Sequence, residues 1–276
     1  RAEVGPSCHY ASKRWAIIRS GRILYAVGTQ EWQRADWYQA AMSSDLLFAA
    51  YAGDNVLLFA GSRPNRRAYC IDIKRMDMHV SPGGGGKLSI RWLQRLGCHE
   101  AAEHFRATLD PVYKVYIVRS VIRARIKGTQ PSGAGNTTIN NSMQVDVMIH
   151  ALQEIDWSEV IGNEEQIIRG IFHDFGFMIT FDKVDYISRP LDVEFLQQRF
   201  YLAIDNGRVV RAPGNRIGRI LGRTFWTCLN LNEKKKRGFL RGIALGLRVI
   251  NAHVPIINDL LERIITLTEG VTVYYD

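Results

Sequence analysis

Apolar positions along this chain follow two rhythms. Residues 46–52 and 56–60 are unbroken apolar runs, separated only by Gly53, Asp54 and Asn55. Short apolar runs bounded by turn formers predict buried strands, and a connection that opens with glycine predicts a hairpin with Asp54 at its tip. A third such run, residues 68–73, carries Asp72 and is reached through a turn over residues 62–67 that holds Pro64 and Asn65. Helical spacing governs residues 30–41, 90–96, 100–108, 137–152, 163–174, 232–250 and 255–267, the last two forming a small subdomain. Residues 10–27 read as a basic segment with a strand-like apolar run, and residues 113–126 alternate apolar with basic as a half-exposed extended segment does. Residues 177–180 and 193–204 complete the strands, the latter followed by a basic loop. Mixed rhythms of this kind predict an α+β fold.

Composition narrows the class. With 276 residues and 46% hydrophobic content there is material for one large domain or two modest ones. Thirty-six basic against 27 acidic residues, a formal +9, favour an anionic polymer as partner. The four cysteines lie far apart with no CxxC pair, which points away from a disulfide framework or zinc ribbon and toward a reducing compartment. Cys98, His99 and His104 lack a fourth ligand at metal-binding spacing and read as structural. No signal-peptide pattern and no apolar run of about 20 residues, the length that spans a bilayer, is seen. The sequence opens at Arg1 in mid-pattern and is expected to be part of a longer protein.

Two aspartates at the ends of neighbouring strands are what a pair of divalent cations needs for phosphoryl transfer. A third segment, residues 131–141 (PSGAGNTTINN), adds Ser132, Gly133, Thr137 and Asn141 at the entry of a predicted helix. Taken singly, each of these also has a plain structural reading: a hairpin turn, acids on a solvated face, a helix cap.

Together they resemble the palm-type viral RNA-dependent RNA polymerases, over about residues 13–204. Asp72 and Asp77 match the Asp-x4-Asp of motif A; Ser132, Gly133, Thr137 and Asn141 match motif B. Gly53-Asp54-Asn55 stands for the usual Gly-Asp-Asp of motif C, FGFMITFDK ends on Lys183 as in motif D, residues 195–200 (FLQQRF) resemble motif E, and Arg19-Ser20-Gly21-Arg22 resembles basic motif F. The usual order is A, B, C, whereas here C precedes A, as in the permuted polymerases of permutotetraviruses and birnaviruses. The GDN tip is closer to the permutotetravirus side.

The resemblance implies a palm, a ferredoxin-like antiparallel sheet with helices on one face, carrying partial fingers within residues 1–204 and the start of a thumb at 205–276. It implies Asp54 and Asp72 as bridging ligands of Mg²⁺, with Asn55 and the Ile73 carbonyl completing the shell and Mn²⁺ as second cation. Asp77, Asn141, Ser132 and Thr137 are then expected to read the ribose 2′-hydroxyl, and Arg19 and Arg22 to neutralise the triphosphate. Lys183 is expected as general acid for pyrophosphate. Gly133, Gly135 and Arg199 are expected against template and primer. Partners are RNA and ribonucleoside triphosphates, in the host cytoplasm or virion. Rival readings are a catalytically inactive RNA-binding relative, a reverse transcriptase, against which the carboxylate at Asp77 argues, and an unrelated ferredoxin-like domain.

Overall fold

The computed structural model describes residues 4–19, 21–79, 85–109, 113–116, 123–126 and 137–274. The chain divides into two compact units, Arg1–Thr29 with Ala41–Asp185, and Gln30–Ala40 with Tyr186–Asp276. No helix among the described residues is long and apolar enough to cross a membrane.

The first unit is built on a five-stranded sheet whose neighbouring strands are, in order, residues 23–25, 48–52, 55–60, 67–73 and 179–184. Helix α1 (Val4–Ile18) precedes β1 (Ile23–Tyr25), and α2 (Glu31–Ser43) leads to β2 (Phe48–Ala52), β3 (Asn55–Ala60) and β4 (Arg67–Ile73). Then come α3 (Met76–His79), α4 (Gly85–Arg95), α5 (His99–Leu109), the hairpin β5 (Tyr113–Tyr116) with β6 (Arg123–Ile126), α6 (Thr137–Gln153), α7 (Glu164–Asp174) and β7 (Ile179–Val184). Only the β1–β2 pair is parallel. The pairs β2–β3, β3–β4 and β4–β7 are antiparallel. Alternate residues Tyr51, Val56, Leu58, Tyr69, Ile71 and Ile73 join Met143, Met148, Ile149, Ile168 and Phe172 of α6 and α7 in one core, so the helices cover one face of the sheet.

The loop over residues 61–66 joins β3 to β4 directly. It is pinned by Arg66, a fully buried guanidinium that donates to the carbonyls of Gly61 (3.2 Å) and Leu46 (2.5 Å). A charged group can be buried here because backbone oxygens satisfy it.

The strand-like reading of residues 10–27 is corrected over its first half. Cys8, Ala11 and Trp15 are buried at helical spacing, and the apolar Ile17 and Ile18 end α1 exposed. Only Ile23–Tyr25 is strand.

In the second unit β8 (Glu194–Phe195) pairs with β9 (Gln198–Asp205), which pairs with β10 (Arg208–Asn215). Helices α8 (Ile217–Arg223), α9 (Glu233–Asn251) and α10 (Pro255–Leu267) follow, with Ile220, Ala244, Val254, Ile257, Leu261 and Ile264 as their core. A boundary at residue 204 would cut the β9–β10 hairpin, paired at eight positions, so the division falls earlier, at Asp185. Part of α2 belongs with this unit, where Tyr38 stacks on Phe200 with centroids 3.8 Å apart.

Candidate active site

The turn between β2 and β3 places the first candidate residue. Ala52 faces Asn55, so the loop is the two residues Gly53 and Asp54 rather than the three expected. Gly53 has φ +63° and open space where a side chain would stand, so glycine is needed for its conformation and not for room. Asp54 is thereby held at the tip, and its carbonyl accepts a hydrogen bond from the Ile73 amide at 3.1 Å.

Asn55 is the cross-strand partner of Asp72, and paired residues project from the same face. That face is the one opposite the helices. Asp72 faces solvent there, and its carboxyl is raised above its ordinary value, first by partial desolvation and then by the Asp54 carboxylate, with Lys74 pulling the other way. Two carboxylates close enough for one to raise the other, with Lys74 only partly offsetting them, fit a divalent metal. Asp54 and Asp72, with the Asn55 amide and the Ile73 carbonyl, are the oxygens available to hold one. Asn55 Nδ2 donates to Asp54 Oδ1 at 2.8 Å and so orients that carboxylate. Among the described residues there is no cluster of three His, Cys, Asp or Glu side chains arranged for a metal.

After Ile73 the Lys74 amide still bonds to the Met178 carbonyl at 2.9 Å, and Arg75, at φ +50°, takes a left-handed turn that L side chains rarely adopt before α3 begins. This turn brings Asp77 beside α6, where Asn141 Nδ2 donates to Asp77 Oδ1 at 2.8 Å. Asn141 is buried, and its Oδ1 has no hydrogen-bond partner among the described residues. A buried acceptor left open is costly unless a ligand hydroxyl fills it. Thr137 opens α6 half-exposed. Ser132, Gly133 and Gly135 lie outside the described residues.

Two residues that sequence reasoning passed over tie these pieces together. Ser142 Oγ accepts from the Gly53 amide at 2.8 Å and donates to the Thr138 carbonyl at 2.7 Å, bonding the turn to α6. Asp146, fully buried one turn further on, takes both arms of Arg19 at 2.8 and 2.9 Å and the Tyr51 hydroxyl at 2.7 Å. Tyr51 in turn accepts from Trp15 Nε1 at 2.8 Å, and Arg19 Nη2 reaches His150 Nε2 at 2.7 Å. An aspartate inside the apolar run MQVDVMI was the available signal, since such a residue survives burial only with a partner. The partner's identity was hidden by 127 residues of separation.

The remaining expected residues are placed otherwise. Arg19, expected on a triphosphate, is instead forked onto Asp146. Arg22 is exposed, with its carbonyl bonded to the Ala49 amide at 3.0 Å. Lys183 pairs across the sheet with Tyr69, on the helix face, while Asp72 pairs with Thr180. Three residues separate the two positions, roughly 10 Å along the strand. Lys183 therefore stands on the other face from Asp72, 3.6 Å from Glu165 and 4.0 Å from Glu164, and in this arrangement is not directed at the paired aspartates. Arg199 belongs to β9 of the second unit, 4.0 Å from Glu194.

A sheet antiparallel in all but its β1–β2 pair, backed by helices on one face and carrying two aspartates near neighbouring strand ends, is an α+β fold of the palm type rather than the wholly antiparallel sheet expected. The chain is similar in structure to the RNA polymerase VP1 from infectious pancreatic necrosis virus, with a TM-score of 0.59 at 9% identity, over 86% of this chain and 35% of that one. In sequence it is 24% identical over 211 residues to a barley yellow dwarf virus (isolate PAV) protein provisionally named RNA-directed RNA polymerase. The counterpart from isolate MAV is 23% identical. These alignments take in 68% of this chain and 23% of each relative, so the chain spans under a quarter of the curated proteins it matches. No protein-family model matches it.

Proposed function

We propose that this chain is the catalytic palm region of a viral RNA-directed RNA polymerase, adding ribonucleotides to an RNA 3′ end with release of pyrophosphate. The observation that carries this is the pairing of two constellations in one unit: Asp54 beside Asp72, and Asp77 bonded to Asn141. The names of the curated relatives and the fold likeness to VP1 support the same reading.

In this reading Asp54 and Asp72 hold divalent cations, expected to be Mg²⁺, which supply charge neutralisation for the attacking and leaving oxygens. Asn55 steadies Asp54 through its amide. Asp77 and Asn141 receive the ribose, the open Asn141 Oδ1 accepting from a 2′-hydroxyl, which favours ribonucleotides over deoxynucleotides. Arg22 remains the candidate for the triphosphate from its segment, while Arg19 secures the α6 helix through Asp146. Template and primer contacts are expected from the segment holding Ser132, Gly133 and Gly135.

The motif order C, A, B follows in the same reading. β3 runs into β4 through residues 61–66, so the motif C hairpin precedes the motif A strand while staying hydrogen-bonded beside it. This supports kinship with permuted polymerases of the permutotetravirus and birnavirus kind, because catalysis depends on where side chains meet and not on chain order.

A metal-dependent incorporation assay with labelled ribonucleotides on an RNA template tests the proposal. Intact protein is expected to extend the RNA, with Asp72→Ala reduced by roughly a hundred- to a thousandfold, the scale of losing a main transition-state contact. Equal RNA binding by both without extension by either would favour the inactive RNA-binding relative.

A further inference from the structure

We propose that the second unit carries a phosphate site of its own, a cleft in which Arg199, Arg216, Arg219 and Arg223 take the terminal phosphates of a nucleoside polyphosphate. The cleft has a volume of about 570 Å³ and is lined by these four arginines with Leu191, Gln197, Tyr201, Ile217 and Gly218. That is the size of a small-molecule site. Among the described residues no acidic side chain lines it.

Its wall is held by an unfavourable turn. Phe195 pairs with Gln198, so Leu196 and Gln197 form a two-residue hairpin loop, and both have positive φ, +52° and +62°. Such a loop is ordinarily made by Asn-Gly or Gly-Gly. Leucine and glutamine held in this conformation mark a place where backbone strain is tolerated, and strain of this kind gathers at binding sites. Gln197 itself faces the cleft.

The arginines are unequally occupied. Glu194 accepts from Arg216 Nη1 at 3.0 Å and stands 4.0 Å from Arg199 Nε, which is buried with no hydrogen-bond partner among the described residues. Arg219 and Arg223, four residues apart on α8, lie on one side of that helix, and neither has an ion pair among the described residues. One carboxylate against four guanidiniums leaves a strong excess of donors shaped for phosphate oxygens. Tyr201, its hydroxyl fixed on the Asn215 carbonyl at 3.1 Å, adds a half-buried ring to the wall. Guanidiniums gathered on one cleft suit the nearly doubly charged terminal phosphate of a chain end or free nucleotide better than the singly charged diesters of continuous RNA backbone.

The site goes beyond the polymerase reading and is tested without turnover. ATP binding is measured by calorimetry on the full chain carrying Asp54→Ala and Asp72→Ala, in EDTA, so that nucleotide held through metal at the aspartates does not contribute. One ATP per chain is expected, displaced by inorganic pyrophosphate and by 5′-triphosphate RNA. Adding Arg219→Ala, half-buried, and Arg223→Ala, exposed, is expected to weaken it at least tenfold, with the thermal midpoint confirming an intact fold. Absent ATP binding, or binding unchanged in the double arginine variant, would overturn the proposal. Equal competition by a 5′-hydroxyl RNA of the same length would also overturn it, by assigning the cleft to internal phosphates.

Discussion

At the residue scale, Asn141 shows how one amide serves two purposes. Its Nδ2 holds Asp77 and its Oδ1 is buried and open. Asn141→Ala removes both the orienting bond and the acceptor, so preference for ribo- over deoxynucleotides is expected to fall by roughly 10- to 100-fold, the worth of one or two hydrogen bonds. Parallel incorporation assays with the two nucleotide classes would show it; unchanged discrimination would remove Asn141 from ribose reading. Asp72 and Asp54 were legible in the sequence because each ends an apolar strand run. Ser142 was not, since its contact with Gly53 exists only once α6 packs across the hairpin.

Among the elements, α6 is the one on which the site turns, and Asp146 is its anchor. Removing a fully buried carboxylate leaves Arg19 partly buried without its counter-charge, and breaking a buried pair costs about 3–5 kcal/mol. Asp146→Ala is therefore expected to lower unfolding stability by that amount in chemical denaturation, far more than the surface change Glu103→Ala. The β10 hairpin and the helices after it carry a pH-dependent element. Burial holds the His253 imidazole below its ordinary pKa, with only partial compensation from its bond to the Ala212 carbonyl at 3.2 Å. The folded state thus prefers neutral histidine, and its contribution is full above the unfolded pKa of about 6.5 and lost as pH falls through the lower folded value. Thermal scans between about pH 7.5 and 5 are expected to show the second unit weakening, and His253→Gln to flatten that dependence.

For the whole molecule, a formal charge of +9 makes RNA affinity a matter of ionic strength. If four phosphates of a single strand are neutralised, affinity is expected to fall roughly 50-fold between about 50 and 200 mM salt, from counterion release. Filter binding across that range measures the slope, and a flat response would mean that the basic excess is not directed at RNA. The division of the chain also belongs to this scale. Residues 30–40 group with the C-terminal third through contacts such as Tyr38 on Phe200, which no local pattern announces.

Hydrophobic rhythm alone determined the hairpin with Asp54 at its tip, the Asp72 strand beside it and the long helix bearing Asn141, because strand, turn and helix preferences act over a few residues. Tertiary structure decided what those side chains face: Arg19 and Lys183 were drawn to Asp146 and to Glu164 and Glu165, and Ser142 to the Gly53 amide. Which partner a charge or hydroxyl takes is a long-range matter, settled only when packing brings distant segments together and burial makes leaving them unpaired too costly.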